Sequence, residues 1–311
     1  MDMELMITIF SAAVRSGTPI LYGTLGEILT EKSGVQNLGL EGLMLMGALS
    51  GFAVTYSTGS PWLGVLAGFC AGAALAAIHA FVSVTLGANQ VVSGLALTML
   101  GTGASALLGN RFVGETITGL QTVKIPLLGD LPVLGPILFQ HDALVYLSYF
   151  LTAFLCWYIW RTRMGLNLRA VGDAPRAADS VGIGVAKLRY LYTLLGGGIV
   201  ALGGAYMSIS YSHMWSEGMT AGRGWIAVAL VIFAIWHPAR AMFGAYLFGG
   251  VEACQLRIQA VGTVIPAPLL LMLPYALTIL VLLAISISKG KGVSLGAPHA
   301  LSVPYYREER E

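Results

Sequence analysis

Long uncharged runs broken by short charged turns dominate this chain. No Asp, Glu, Lys or Arg occurs from Gly42 to Asn110, and further uncharged runs cover 143–160, 190–216, 224–239 and 258–288. A helix needs about 20 residues to cross a bilayer, so the first run is expected to hold three crossings joined by short turns. The pattern predicts helices near 5–30, 38–57, 61–86, 90–109, 142–160, 190–211, 224–238, 240–257 and 266–288. This is an all-α, polytopic integral membrane protein with about nine transmembrane helices (eight to ten), forming one domain over residues 1–311. Arg15, Pro19 and Glu27 interrupt the first helix, which reads as an interfacial helix followed by a short span.

Composition agrees with the pattern. The chain is 56% hydrophobic and 10% charged, whereas soluble domains carry about 25% charged residues. The N-terminus has Asp2 and Glu4 and no basic stretch, so the first helix is expected to stay rather than be cleaved as a signal. Cys70, Cys156 and Cys254 all lie in apolar runs with no CxxC pair, which suits packing and gives no metal or redox role.

Basic residues orient the helices. Segment 161–189 carries Arg161, Arg163, Arg169, Arg176, Lys187 and Arg189 against Asp173 and Asp179, and the positive-inside rule puts it in the cytoplasm. Lys289, Lys291, Arg307 and Arg310 put the tail, 289–311, on the same side. An even number of predicted crossings separates the two, so the placements agree. Segment 110–141 then lies outside, 31–36 inside, and the N-terminus outside. Pro126, Pro132 and Pro136 favour extended or turn conformations in the outside segment, whose length and apolar content suit a docking surface.

Equal sets of helices precede and follow the connecting helix 142–160. Sliding the chain so that Glu41-Gly42 lies over Glu217-Gly218 aligns 38–57 with 217–233 and 61–86 with 237–262. A single connecting crossing makes the second set run opposite to the first: an inverted repeat of four helices around a connecting helix, as occurs in transporters. So few identities also fit a chance match. Glycine is abundant, 40 of 311 residues. Gly64, Gly68 and Gly72 repeat every four residues, as do Gly47 and Gly51, a spacing that lets helix backbones approach. The Gly196-Gly197-Gly198 run is read the same way.

Polar groups at membrane depth are costly and mark pathways. The solute-pathway candidates are Gln36, Asn37, Glu41, Asn89, Gln90 and Ser93, with His79 and Glu252 as further polar positions. Plain structural roles compete: Glu41 as a carboxylate near a helix N-terminus, Asn89-Gln90 as an N-cap at a surface turn, His79 as a hydrogen-bonded interior residue. No set forms a catalytic triad, metal cluster or proton relay, and no GxxxxGK[ST] nucleotide loop occurs, so no enzyme is indicated.

The cytoplasmic stretch RMGLNLRAVGDAPRAADSVGIG, Arg163 to Gly184, is longer than a connection needs. Its centre reads as a short helix with Asp173 near the N-cap, Pro175 in the first turn, and Gly182 and Gly184 at its end. Such a helix either seats in a groove of a soluble partner or rests a basic face on anionic lipid.

This stretch resembles the cytoplasmic loop of the permease subunits of ribose and branched-chain amino acid type ABC importers. EKSGVQNLGLEGLMLMGA, GANQVVSGLALTM, GRGWIAVALVIFAIWHP and LPYALTIL resemble the same family in the expected order, closest to its nucleoside and simple-sugar branch. The resemblance implies a coupling helix at Ala174–Gly182, with Asp173, Ala174, Pro175, Arg176, Ala177, Ala178, Ser180 and Gly182 meeting an ATPase. It also implies an ATP-binding partner subunit, a second permease forming a heterodimer, an extracytoplasmic substrate-binding protein, lipid contact in a bacterial inner membrane, and no nucleic acid. No cofactor is expected on this chain, and ATP is used by the partner. The missing nucleotide loop fits that division. The competing readings are a self-sufficient secondary transporter with inverted repeats, for which Glu252 is the plausible deep carboxylate; a branched-chain amino acid permease; and a non-transporting scaffold.

Overall fold

The computed structural model describes residues 3–261 and 296–306, with 266, 269–270, 272–274, 276–280 and 283 between them. Helix α1 (Met3–Glu31) runs unbroken, which corrects the expected interfacial helix and short span. Pro19 lacks the N–H that would bond the Arg15 carbonyl. That carbonyl instead accepts from the Tyr206 hydroxyl at 3.1 Å, so the helix continues without an orphaned acceptor. Glu27 does not interrupt it either, and is 1% exposed inside the bundle.

Three more helices follow: α2 (Leu40–Thr58), α3 (Pro61–Ala80), which a π-turn extends through Phe81–Thr85, and α4 (Gln90–Gly109). Segment 110–141 is more ordered than the expected turns. Strands β1 (Thr122–Lys124) and β2 (Gln140–Asp142) pair antiparallel with Val123 opposite His141, and a short α5 (Leu134–Leu138) lies between them. Asp142 then caps α6 (Ala143–Arg161), its Oδ1 accepting from Leu144 N at 3.0 Å.

The basic segment holds two helices, α7 (Arg163–Asp173) and α8 (Pro175–Ser180). Helix α9 (Val185–Tyr206) begins before the expected position 190 and continues as a π-turn through Tyr211. Helix α10 (Arg223–Phe233) stops short of the expected 238, because Ile235 and Trp236 turn into the left-handed region at φ 53° and 52°. Helix α11 (Pro238–Val261) follows. The helix expected at 266–288 falls largely outside the described residues.

By length and composition, α1, α3, α4, α6 and α9 can cross a membrane. At 19 and 24 residues, α2 and α11 are also long enough. Helix α10, at 11 residues, is about 16 Å long, roughly half of the ~30 Å hydrocarbon thickness. The irregular stretch 212–222 leads into it, with Met214 bridged to Thr116 of the segment after α4.

Helix α9 is the axis, packed against α1, α2 and α3. The small-residue stripes converge on it: Gly47 and Gly72 both lie against Ala201, and Gly51 and Gly68 against Ala205. Across the bundle, α1 packs on α11 as α9 packs on α3, with Gly17 against Ala245, and α1 crosses α9 at Gly26 and Gly196. Lipid is as apolar as leucine, so close backbone approach, not burial of oil from water, holds these contacts.

A Cβ at Gly204 would overlap the Met44 carbonyl oxygen, while one at Gly103 would meet nothing within 4 Å. Gly204→Ala is therefore expected to abolish a monodisperse gel-filtration peak in detergent, and Gly103→Ala to leave it unchanged.

Candidate functional site

The N-termini of α2 and α10 meet near the middle of α4. Gly42 lies against Gly101 of α4, and Gly224 lies against the backbone of Glu41. Each helix directs unsatisfied N–H groups and a positive dipole end at this junction. The Glu41 carboxylate answers α10: Oε1 accepts from Thr220 Oγ1 at 2.6 Å and Gly222 N at 2.9 Å, and Oε2 accepts from Gly224 N at 2.8 Å. Gly222 sits at φ 82°, which turns its N–H toward the carboxylate at little steric cost.

The approach to α2 is equally dependent on side chains. Residues 35–39 are not helical, and their buried backbone donors need acceptors. Gln36 N donates to Gln90 Oε1, Asn37 N to Glu27 Oε1 and Gly39 N to Asn37 Oδ1, each at 2.8 Å. His79 spans the same place, its Nε2 3.0 Å from the Gln36 carbonyl and its Nδ1 3.0 Å from Ser93 Oγ. Ser302 Oγ donates to Gln36 Oε1 at 2.6 Å.

The structure thus brings Gln36, Gln90 and Ser93 together around His79. Asn37 stands one step away with Glu27, and Glu41 belongs to the α10 junction. Asn89 caps α4, its Oδ1 accepting from Val92 N at 3.1 Å. Asn37, Glu41, Asn89 and Gln90 each accept from backbone N–H groups, whereas the side chains of Gln36 and Ser93 bond to Ser302 and His79.

A separate cavity of about 340 Å³ lies between α1, α10 and α11, lined by Ile20, Phe248 and other apolar residues with Arg223, Glu252 and Gln255. Arg223 and Glu252 form an ion pair there, and Arg223 Nε has no partner among the described residues. Sequence reasoning singled out Glu252 but not Arg223. Two lone opposite charges flanking apolar runs were the available signal, since charges at membrane depth pair with one another. It also missed Glu31, which is 3% exposed and accepts from Trp236 Nε1.

At the basic end, Thr162 caps α7, its Oγ1 accepting from Gly165 N at 3.0 Å, and Leu168 and Val171 turn inward. Asp173 is not an N-cap for α8. It is the last residue of α7, and its Oδ1 accepts from His299 N at 3.3 Å. Ala174 precedes α8, Pro175 opens it, and Gly182 at φ 85° ends the turn after it. Ala178 is 3% exposed and packs with Val171 and Val185, so it anchors α8 to the body. Arg176, Ala177 and Ser180 form the exposed face, continued by Val181. Beside the end of α7, Lys32 Nζ donates to the Gly296 carbonyl at 2.9 Å, and burial pushes its ammonium below the ordinary lysine range.

A family model described as the permease component of branched-chain amino acid transport systems matches residues 9–282. The chain belongs to this permease family. The permease is 40% identical to TsgC13 of Haloferax volcanii, an ABC transporter permease protein named for glucose, over 98% of this chain and 99% of that one. It is 34% identical to the guanosine ABC transporter permease protein NupQ of Bacillus subtilis, over 99% of both. It is 33% identical to the nucleoside ABC transporter permease protein NupC of Lactococcus lactis, over 94% of both. The permease is a multi-pass protein of the cytoplasmic membrane, a transport component that works with an ATP-binding subunit and a substrate-binding protein.

Replacing Glu41 tests the junction. Hydrogen bonds to a charged group contribute about 1.5–3 kcal/mol each. Glu41→Gln, which turns one acceptor into a donor facing Gly224 N, is expected to lower the melting temperature in detergent. Glu41→Ala, which strands every donor, is expected to lower it further.

Proposed function

We propose that this permease forms the solute path of a binding-protein-dependent ABC importer for nucleosides, or failing that for simple sugars. The observation that carries the solute class is the end-to-end likeness to permeases named for guanosine, nucleosides and glucose. Those names favour nucleosides and sugars over branched-chain amino acids. The cavity beside Arg223, Glu252 and Gln255 supports a small polar solute, because it offers donors and acceptors within an apolar wall. Gln36, Asn37, Glu41, Asn89, Gln90 and Ser93 serve the path by fixing the backbone at its edge.

In this reading a second permease completes the path as a heterodimer. Helix α8 is the coupling helix. Its exposed face, Arg176, Ala177 and Ser180, seats in the ATPase, and closure of the ATPase on ATP moves α8 and switches the side to which the path opens.

Uptake of radiolabelled guanosine, adenosine, ribose and glucose, compared in cells with and without this gene, tests the solute. Nucleoside uptake should depend both on this gene and on its ATPase subunit. Uptake driven by an ion gradient, with this chain alone in liposomes, would overturn the importer reading.

The coupling reading makes a sharper contrast. Ala177→Trp puts a bulky ring on the exposed face of α8, so the membrane level of the chain should hold while co-purification of the ATPase fails. Ala178→Trp overpacks the inward face and should lower the amount of folded chain itself. Full ATPase binding by Ala177→Trp would remove α8 from the contact.

A further inference from the structure

The segment 296–306 is not a loose tail. It crosses the basic end of the bundle in an irregular path and bonds to several elements in turn. Ala300 N donates to the Gly172 carbonyl at 2.9 Å, at the end of α7. Ser302 N donates to the Gly34 carbonyl at 3.2 Å, at the end of α1, and its hydroxyl holds Gln36. Tyr305 packs into the small cluster of Val171, Ala178 and Val185 that anchors α8.

The bundle also builds a charged socket for this segment. Arg189 near the start of α9 is 1% exposed, and its Nη1 donates to the Val303 carbonyl at 3.0 Å. Its Nε and Nη2 have no partner among the described residues. A buried guanidinium is costly unless hydrogen-bonded. A disposable tail would not supply an acceptor to a buried arginine.

The bonding pattern has a direction. One side of the segment holds α7 and the anchor of α8. The other holds Gln36, whose backbone is bound by Gln90 and His79 and which leads into α2 and the Glu41 junction. Displacement of α8 therefore bears on the segment through Gly172 and Tyr305, and reaches Gln36 through Ser302.

We propose that residues 296–306 are a positioning strap of the importer, tying the ATPase-contacting helix α8 to the non-helical approach to α2, so that movement of α8 is passed to the membrane junction. This rests on the reading of α8 as the ATPase contact. Ser302 and Tyr305 are its positioning residues. They touch neither solute nor ATP.

The test uses the whole importer in proteoliposomes, with wild-type chain, a chain ending at residue 295, Ser302→Ala and Tyr305→Ala. Four quantities are read: ATPase co-purification, ATP hydrolysis with and without loaded binding protein, solute uptake, and melting temperature. Coupling free energies between sites typically correspond to 5–150-fold. The truncated chain should keep its ATPase and hydrolyse ATP while uptake falls by roughly 5- to 50-fold, so that ATP used per solute rises. Ser302→Ala and Tyr305→Ala should shift the same ratio by a few-fold at a melting temperature near wild type, and they decide the matter if the truncated chain does not fold. A wild-type ratio of ATP to solute in both point variants would overturn the proposal, as would loss of ATPase binding on truncation, which would make the segment a docking surface. Failure of Ala177→Trp to release the ATPase would instead count against the α8 reading, so the two can fail separately.

Discussion

One carboxylate, at the start of α2, answers the open N-terminus of α10. The N-termini of α2 and α10 converge, and their free N–H groups and dipole ends repel each other. Glu41 sits between them and gives acceptors to Thr220, Gly222 and Gly224. With this anion in place α10 can begin at Arg223, and the stretch 212–222 can remain irregular. The non-helical approach to α2 needs matching acceptors from Glu27, Asn37 and Gln90. Several polar residues in the apolar runs are thus the complement of backbone donors left open ahead of α2 and α10.

Around this junction the bundle is held by small side chains. The stripes on α2 and α3 meet the stripe on α9 so closely that backbone touches backbone. This leaves the large apolar residues of α4 facing outward, Met99 and Leu107 among them.

Much of this was legible in the sequence. Charge-free runs located the helices because the bilayer demands apolar length, and α4 was placed at its observed ends. Glycine spacing marked the packing faces for the same reason. The misplaced boundaries have local causes. Pro19 suggested a break in α1, which the Tyr206 hydroxyl makes unnecessary, and α10 ends early at a turn made by Ile235 and Trp236, residues with no turn signature. For the candidate site, residue type drew attention to Gln36, Asn37, Glu41, Asn89, Gln90 and Ser93, but could not say which atoms each would bind. Partners such as Thr220 and Ser302 lie far away in sequence and carry no motif. Ala178 looked like part of an outward small-residue face, and only the tertiary packing of Val171 and Val185 shows it turned inward.

The corner between α10 and α11 has a mechanical consequence. Glycine would make the left-handed turn at 235 and 236 almost free of strain. Ile235 and Trp236 do not, and residues held in that region cost on the order of 1–3 kcal/mol each. The Trp236 indole, bonded to the buried Glu31 carboxylate, fastens the corner to the end of α1. A strained bend between α10 and α11 therefore persists only because a contact made far away in the sequence holds it.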